Sequence, residues 1–585
     1  MDNTSAALKQ QPVSKRARSS RELAYFLLEQ CQKLLSELSS FQSYLVTIGK
    51  PHLVELRQFK SIVQSELKSL QRLAAKAEEA VAQDAEENAG KAQETGEIET
   101  RGENRDPEED EDSEEEGLGQ AELKVLHSLR SSNFPFYANV WGVAKTTCTG
   151  IISFNKKFYF YQNNKRRALE HGYEDLAADV EEPEIKANPE PKTGNPDTKM
   201  HKRGVLIDIV ADNGEEWVKV STVTPNRLLF DLAKQGWEIG LDSDSDDDDD
   251  DGSRTSSTPK MHAYDSEDDD DMIEILKLAV DMKKAAAEVR VRYRHPRIRL
   301  VLPKIVEGQV AEIDKIIRKV RKVGVTVECA TSEAPSFDFV VDSEVPVDTA
   351  IHDPAALFSS LLPNPFPHMT PILNVDCTLL LAFVSDLSHT RDLECLPSYH
   401  PAINRQIEFE AQKQLLPSEL WPATGDRDLV CTMRAAKRMQ EIVDTIGTPK
   451  EKERTKLLMG DTDVSDRSVL ISKFQELSDY TVPLDWKLPI KVVDSQVDID
   501  RGWKDGSLPF IARHIAQKLS DINRSVFLYG WAAGLTTISS NRTVIKQIEG
   551  WIEEQRGDDD EVCGPTVWVC DTARSLIGKD SNRAI

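Results

Sequence analysis

Several patterns that would narrow the function are missing from this sequence of 585 residues. Its 8 cysteines are scattered without a Cys-x-x-Cys pair, and no histidine cluster has the spacing of a zinc site. In a chain of this length, scattered cysteines favour reduced thiols over a disulfide framework. No apolar run reaches the ~18 residues of a membrane span, and the N-terminus has no apolar signal core. We therefore expect a cytoplasmic or nuclear protein without a membrane partner.

Common catalytic motifs are missing as well. The sequence has no phosphate-binding loop ending in Gly-Lys-Ser/Thr, no GxGxxG fingerprint, no GxSxG elbow and no zinc-protease helix. These absences argue against nucleotide-driven reactions and the common hydrolytic mechanisms. No bound cofactor is expected on this basis.

Negative charge is concentrated in two segments. Residues 84–116 hold 16 acidic and 3 basic residues, and residues 241–271 hold 14 and 2, which accounts for most of the formal net charge of −27. The remaining sequence is therefore nearly neutral. Both segments lack the apolar side chains that would offset the entropy of ordering, so they are predicted to be disordered.

Hydrophobic periodicity predicts an α/β protein with a helical N-terminus. Apolar residues spaced by three and four predict a helical hairpin, interpreted as packing on the protein's own core, with a coiled-coil interface for a partner as the alternative. Near the C-terminus, residues 465–500 are interpreted as a surface insertion. The predicted parts are a disordered arm over 1–20, the hairpin over 21–80, an acidic disordered linker over 81–120, an α/β domain over 121–330 with disordered loops at 176–203 and 241–271, and a C-terminal domain over 334–585.

A β-hairpin is predicted within the middle domain. Asn213-Gly214 separates two apolar runs, which is a strong hairpin signal. Asp208 and Lys219 invite comparison with a restriction-endonuclease core, which needs an acid, one residue and then a lysine. Trp217 occupies the acid position, so Asp208 and Lys219 are interpreted as exposed residues of a half-buried hairpin.

The segment 371–389 carries the clearest chemical signal. An apolar strand, Ile372–Val375, ends at Asp376, and a carboxylate there points into the crevice where open α/β sheets hold ligands. Asp571 ends another apolar run. The two carboxylates are candidate ligands for Mg²⁺ or Mn²⁺, and Asp376 is the candidate catalytic residue of a two-metal phosphodiester hydrolysis. The alternative is that Asp376 caps the helix that follows it.

The densest basic patch lies between residues 290 and 322. Arg290, Arg292 and Arg294 alternate with apolar residues, so a strand would place them on one face, and Arg318 and Lys322 follow on the next helix. Three interpretations stay open: binding of nucleic-acid phosphate, docking of the acidic linkers of the same chain, or a solvated face.

Four blocks of the C-terminal region resemble the eukaryotic family called domain of unknown function 1308, or UPF0415. They are Leu373–Ser385, Ile442–Gly447 with Glu451–Arg454, Ser539–Asn541 and Arg574–Leu576. The resemblance implies a PIN-like fold, which is a parallel sheet with flanking helices. In active members of that fold, an acidic pocket supports metal-dependent ribonuclease action.

The sequence departs from the family pattern where the chemistry would occur. Met433 stands where the family has a glutamate, and residues 530–534 contain no acid where the family has a Gly-Asp pair. One carboxylate holds Mg²⁺ poorly, because a hard, hydrated cation needs several charged oxygens. The resemblance therefore implies a non-catalytic scaffold that binds an RNA or protein partner. The alternative is a ribonuclease that acts on single-stranded RNA with Mg²⁺ or Mn²⁺.

Overall fold

The structure, a computed structural model, describes residues 19–94, 119–162, 201–234, 272–331 and 354–578, apart from residues 465, 558, 560 and 571. Two compact units are formed: Met1–Arg290 with His295–Pro363, and Val291–Arg294 with Asn364–Ile585. The predicted α/β class is confirmed, with helices at the N-terminus and a parallel sheet in the C-terminal region. The acidic segment 241–271 and the boundary predicted at residue 334 lie outside the described residues.

The first unit combines a helical layer with a mixed sheet. Its helices are α1 Ser20–Thr47, α2 Arg57–Glu94, α3 Gln120–Arg130, α4 Phe134–Thr147, α5 Pro225–Lys234, α6 Glu274–Ala287, α7 Ala311–Lys322 and α8 Pro354–Leu361. Its strands are β1 Ser153–Gln162, β2 His201–Ala211, β3 Glu216–Val220, β4 Arg297–Val306 and β5 Thr326–Ala330.

Helices α1 and α2 form the predicted hairpin. They run antiparallel, because Cys31 lies against Val63 whereas Tyr25, earlier in α1, bonds to Glu78, later in α2. The apolar faces of both helices are buried in a core shared with α3, α4 and the sheet, which confirms the packing interpretation. Helix α2 continues to Glu94, beyond the predicted end at residue 80, through a stretch rich in the helix formers Ala, Glu, Gln and Lys.

The sheet of the first unit has the order β1-β2-β3-β4-β5. Strands β1, β2 and β3 are antiparallel, and β3, β4 and β5 are parallel, with α6 before β4 and α7 before β5. The predicted hairpin is confirmed, since β2 and β3 pair through Ile209 and Val218 around a 3₁₀ turn at Asp212–Gly214. Asn213 and Gly214 both have positive φ, which is the conformation that favours these two residues in turns.

The interpretation of Asp208 and Lys219 as exposed residues is wrong. Asp208 is 3% exposed, and its carboxylate accepts hydrogen bonds from Lys219 Nζ at 2.9 Å and from the Val220 amide at 2.8 Å. Aromatic and aliphatic side chains of α2 and α4, among them Phe59 and Tyr137, lie beside Asp208. Burial raises the pKa of the Asp208 carboxyl, and the Lys219 charge opposes that rise. The pair is a buried ion pair of the core.

The second unit is built on a parallel sheet. Its strands are β6 Ile372–Val375, β7 Asp428–Thr432, β8 Lys491–Val493, β9 Thr536–Ser539 and β10 Val567–Val569. Its helices are α9 Cys377–Val384, α10 Asp386–His389, α11 Pro401–Gln412, α12 Trp421–Thr424, α13 Met433–Ile446, α14 Pro449–Met459, α15 Arg467–Glu476, α16 Ser495–Asp505, α17 Ile511–Lys518, α18 Asp521–Ala532 and α19 Arg542–Arg556.

The strand order of this sheet locates a switch in chain direction. The order is β10-β9-β6-β7-β8, and every pair is parallel. The chain moves outward from β6 through β7 to β8 and then returns to the other side of β6 for β9 and β10. In open α/β sheets, ligands bind outside the carboxyl ends of the strands at such a switch point, which here lies between β6 and β9.

The described part of the predicted surface insertion, residues 466–500, does not form an insertion on the surface. They supply α15, the edge strand β8 and the start of α16, and their apolar side chains enter the main core of the second unit. Trp486 is 1% exposed and packs against Phe383, Trp421 and Phe474, with ring centroids 5.2–6.2 Å away. Among the described helices of the chain, none is both long and apolar enough to cross a bilayer.

Candidate functional site

Asp376 lies at the switch point of the parallel sheet. It directly follows β6, whose Leu373, Asn374 and Val375 are fully buried, and its backbone amide donates to the Ile538 carbonyl of β9 at 3.0 Å. The apolar strand therefore carries this carboxylate to the position that the sequence predicted. By position Asp376 is also the N-cap residue of α9.

The Asp376 carboxylate accepts hydrogen bonds from two hydroxyl groups. Ser539 Oγ donates to its Oδ2 at 2.6 Å, and Thr378 Oγ1 donates to the same oxygen at 2.8 Å. The side chain is 2% exposed. Burial raises the pKa of the Asp376 carboxyl, and the bonds from Ser539 and Thr378 act against that rise. The group is therefore a desolvated carboxyl held inside the protein by neutral donors.

Neutral hydroxyls also occupy the neighbouring strand ends. The Thr432 and Ser525 hydroxyls lie 3.1 Å apart at the end of β7. After β9, the Asn541 amide donates to Ser539 Oγ at 3.0 Å, and the Ser540 amide donates to Thr378 Oγ1 at 3.3 Å. Sequence reasoning missed Ser539 as the partner of Asp376, although a hydroxyl residue at the end of an apolar strand was a visible signal.

The described side chains at this edge do not fit a Mg²⁺ or Mn²⁺ centre. Such ions need several charged oxygens, and a two-metal site needs several converging carboxylates. Within the described ranges, no group of three or more His, Cys, Asp or Glu side chains is placed to hold a metal ion. Asp571, the second predicted ligand, lies outside the described residues. Met433, at the position where the resemblance calls for glutamate, opens α13 and is 56% exposed.

The predicted basic patch is not a single strand face. Residues 291–294 form a tight turn closed by a bridge between Val291 and Arg294, with positive φ at Arg292 and Tyr293. The alternation expected to align Arg290, Arg292 and Arg294 is therefore wrong. Arg290 belongs to the first unit, whereas Arg292 and Arg294 belong to the second.

The part of the predicted basic patch that lies on a helix is present in the structure, on α7. On α7 the side chains of Lys315, Arg318 and Lys322 are all exposed, and their spacing of three and four places them along one face. The Arg318 Nε donates to the Asp314 carbonyl at 3.4 Å, which still leaves most of the guanidinium at the surface. This row of three residues is called the α7 basic face below.

Comparison with known families finds a match within the second unit. Residues 373–480 match the DUF1308 family, described as a protein of unknown function. The resemblance inferred from the sequence is thereby confirmed over this segment. The DUF1308 segment begins in β6 and extends past α15, so it contains Asp376 and, of the five strands, most of β6 and all of β7. No solved structure matches the chain.

A buried charge network explains one block of the DUF1308 segment. Arg454 is 1% exposed, and its Nη1 donates to Asp386 Oδ1 at 2.7 Å and to the Val384 carbonyl at 3.0 Å. Glu451 is fully buried, bonds to the amides of Asp386 and Thr448, and completes a capping box at the start of α14. These residues connect α9, α10 and α14, so their role is structural.

The closing Arg-x-Leu block is structural as well. Arg574 is 2% exposed, and its Nε donates to Glu410 Oε2 at 2.7 Å, which fixes the C-terminal segment to α11. Leu576 lies in the main core. Gly530, in the block where the family has Gly-Asp, packs so closely that a Cβ there would overlap Thr537 Oγ1. The blocks Glu451–Arg454 and Arg574–Leu576 therefore contribute to packing in this chain.

The raised pKa of Asp376 leads to a testable pH dependence. The folded protein holds this proton more tightly than the unfolded chain, so wild type loses stability as the pH rises from the unfolded value of about 4 towards the raised folded value. Asp376→Asn removes that ionisation. We expect the free energy of unfolding of Asp376→Asn, relative to wild type, to increase as the pH rises from about 4 to about 8. Urea titrations at several pH values measure this difference in the free energy of unfolding. A difference that falls as the pH rises would contradict the raised pKa of Asp376.

Proposed function

We propose that the second unit is a PIN-like domain that acts as a non-catalytic scaffold and binds an RNA or protein partner. The fold is supported by the all-parallel sheet with β6 at its centre, by the helices that connect its successive strands, and by the DUF1308 match. The fold alone does not assign a function, because such sheets carry many unrelated sites. The state of Asp376 therefore carries the functional part of the proposal.

The single observation behind a non-catalytic role is the burial of Asp376 among hydroxyls. A metal-ligating carboxylate must be ionised and reachable by the ion and its substrate. Asp376 is 2% exposed, and both Ser539 and Thr378 donate to the same oxygen. Opening this site to a metal would break two hydrogen bonds, and from the described part of the chain the ion would gain the single charge of Asp376.

The second candidate function is a metal-dependent ribonuclease. The observation in its favour is the position of Asp376 at the switch point, where α/β proteins place ligand-binding groups. It requires further acids to converge on Asp376. Asp571 is the candidate that the sequence supplies.

A cleavage assay separates the two functions. Full-length protein and its Asp376→Asn variant are incubated with labelled single-stranded RNA and Mn²⁺, and RNA retention is measured in parallel by filter binding. If the second unit is a non-catalytic scaffold, wild type and Asp376→Asn show no difference in RNA cleavage. The protein also retains RNA in the filter assay, or a partner cross-links to the second unit. Cleavage by wild type that Asp376→Asn abolishes would establish the ribonuclease. If the protein neither retains RNA nor cross-links to a partner, the scaffold proposal is wrong.

The α7 basic face is a candidate contact for polyanions in the first unit. Arg318 and Lys322 keep exposed positive charge on one helix face, which suits nucleic-acid phosphate or the acidic segments of the same chain. A variant lacking 241–271 tests the intramolecular version. If the acidic segment competes for this face, the variant binds RNA more tightly than the full chain at low salt. Equal affinities would remove the competition.

A further inference from the structure

A cleft of about 420 Å³ lies at the carboxyl edge of the parallel sheet, on the β7–β8 side. Residues of α13, α16, α17 and α18 form it, and its lining includes Met433, Arg434, Trp503, Arg524 and Ser525. Its size falls in the range of small-ligand pockets. Asp376 is not among the lining residues, whereas Met433 and Ser525, described above at the end of β7, are.

Two arginines from different helices meet at one wall of the cleft. Asp521 joins them, since Arg434 Nη1 lies 3.4 Å from its Oδ2 and Arg524 Nη2 lies 3.4 Å from its Oδ1. The Arg434 and Asp521 side chains are 59% and 68% exposed, so these ion pairs are weak and can be exchanged. A phosphate group would accept bonds from both guanidiniums in the forked geometry that arginine favours. Asp521 thus holds the two groups near each other in the absence of an anion.

Part of the remaining lining is apolar and includes a large aromatic ring. The lining is completed by the polar side chains Asp494, Ser495, Gln496 and Ser525. Ile499 and Leu528 are buried, and Met433 presents an exposed thioether. The Trp503 ring lies 5.2 Å from the Arg513 guanidinium, an arrangement that steadies the indole. Nucleobases stack on aromatic side chains in single-strand binding sites, and a thioether makes favourable contacts with aromatic rings.

We propose that this cleft binds a nucleoside 5′-monophosphate unit, with the phosphate on Arg434 and Arg524 and the base against Met433 and Trp503. The unit is either a free nucleotide or the 5′-phosphorylated end of an RNA strand, since both offer the same chemistry. The inference rests only on the residues of the cleft. It stands whether or not the second unit is PIN-like or non-catalytic.

Titration of the full chain with four probes tests the site. The probes are AMP, inorganic phosphate, a short 5′-phosphorylated single-stranded RNA and the same RNA with a 5′ hydroxyl. Binding of each is measured by calorimetry at low salt. We expect saturable binding of AMP or of the phosphorylated RNA, and at least about tenfold weaker binding by inorganic phosphate, which lacks the base. An affinity for AMP equal to or above that for the phosphorylated RNA identifies a free nucleotide, and an affinity for the phosphorylated RNA clearly above those for both AMP and the hydroxyl RNA identifies a strand end.

Variants assign the binding to the cleft. The double change Arg434→Gln and Arg524→Gln is expected to weaken binding by about tenfold or more, and Met433→Glu, which places a carboxylate in the cleft, by a similar factor. The control is Arg438→Gln, an exposed arginine on the same helix that pairs with Glu441 and does not line the cleft. All these side chains are exposed, so circular dichroism should report an unchanged fold. No saturable binding of AMP or RNA, or binding that survives the double change, overturns the proposal.

Discussion

Arg454→Ala is expected to lower the free energy of unfolding of the second unit by about 3–5 kcal/mol. The guanidinium is 1% exposed and donates to Asp386, to the Val384 carbonyl and, through Nε, to the Leu477 carbonyl at 2.9 Å. Removing it leaves a carboxylate that is 15% exposed, one buried carbonyl and one partly buried carbonyl without these partners. The cost of such unpaired groups exceeds the net value of the intact pair.

Urea unfolding of the full chain, followed by tryptophan fluorescence, measures this change. Lys456→Ala on the same helix is the matched control, because Lys456 is exposed and pairs with the similarly exposed Glu453 at 3.4 Å. We expect the control to stay within about 0.5 kcal/mol of wild type. A double change of Arg454 and Asp386 to alanine should cost less than the sum of the single changes. If Arg454→Ala matched its control, the structural role given to this DUF1308 block would be wrong.

Trp486→Ala is expected to cost about 3–5 kcal/mol, because it opens a cavity among the aromatic side chains of the main core. Trp486 is 1% exposed and contacts Phe383, Trp421 and Phe474. Leu484, two residues earlier, is 86% exposed and provides the control within the same segment. Denaturation midpoints of the two variants give the comparison.

The two substitutions test whether residues 465–500 belong to the fold. Leu484→Ala should leave stability nearly unchanged, since isolated surface substitutions seldom matter. A surface insertion would make both changes mild. A small loss for Trp486→Ala would therefore contradict the packing of this segment into the core.

The sequence was sufficient for the features that local patterns specify. The strand at Ile372–Val375 and the carboxylate after it followed from an apolar run that ends at an acid. The hairpin around Asn213 and Gly214 followed from turn chemistry, and its register pairs Ile209 with Val218, which brings Asp208 opposite Lys219. The burial of this pair was missed because α2 and α4, which cover it, come from distant parts of the chain.

The failures have a common physical cause. Arg290 to Arg294 alternate like a strand, but Arg292 and Tyr293 adopt positive φ in a tight turn, and Tyr293 is fixed by an Arg556 bond to its carbonyl at 2.8 Å. Trp486 stands in a polar, proline-containing stretch that resembles a loop. In both cases a contact from a distant part of the chain overrides the local pattern. The hydroxyl partner of Asp376 is equally remote, since Ser539 belongs to another strand.

Calorimetric titration of Mn²⁺ into wild type and Asp376→Asn tests the central claim most directly. The claim is that the carboxylate at the switch point is a buried group satisfied by Ser539 and Thr378. The account predicts superimposable isotherms, because any ions taken up by the acidic segments bind both proteins equally. A saturable Mn²⁺ site in wild type that the Asp376→Asn variant lacks would contradict it.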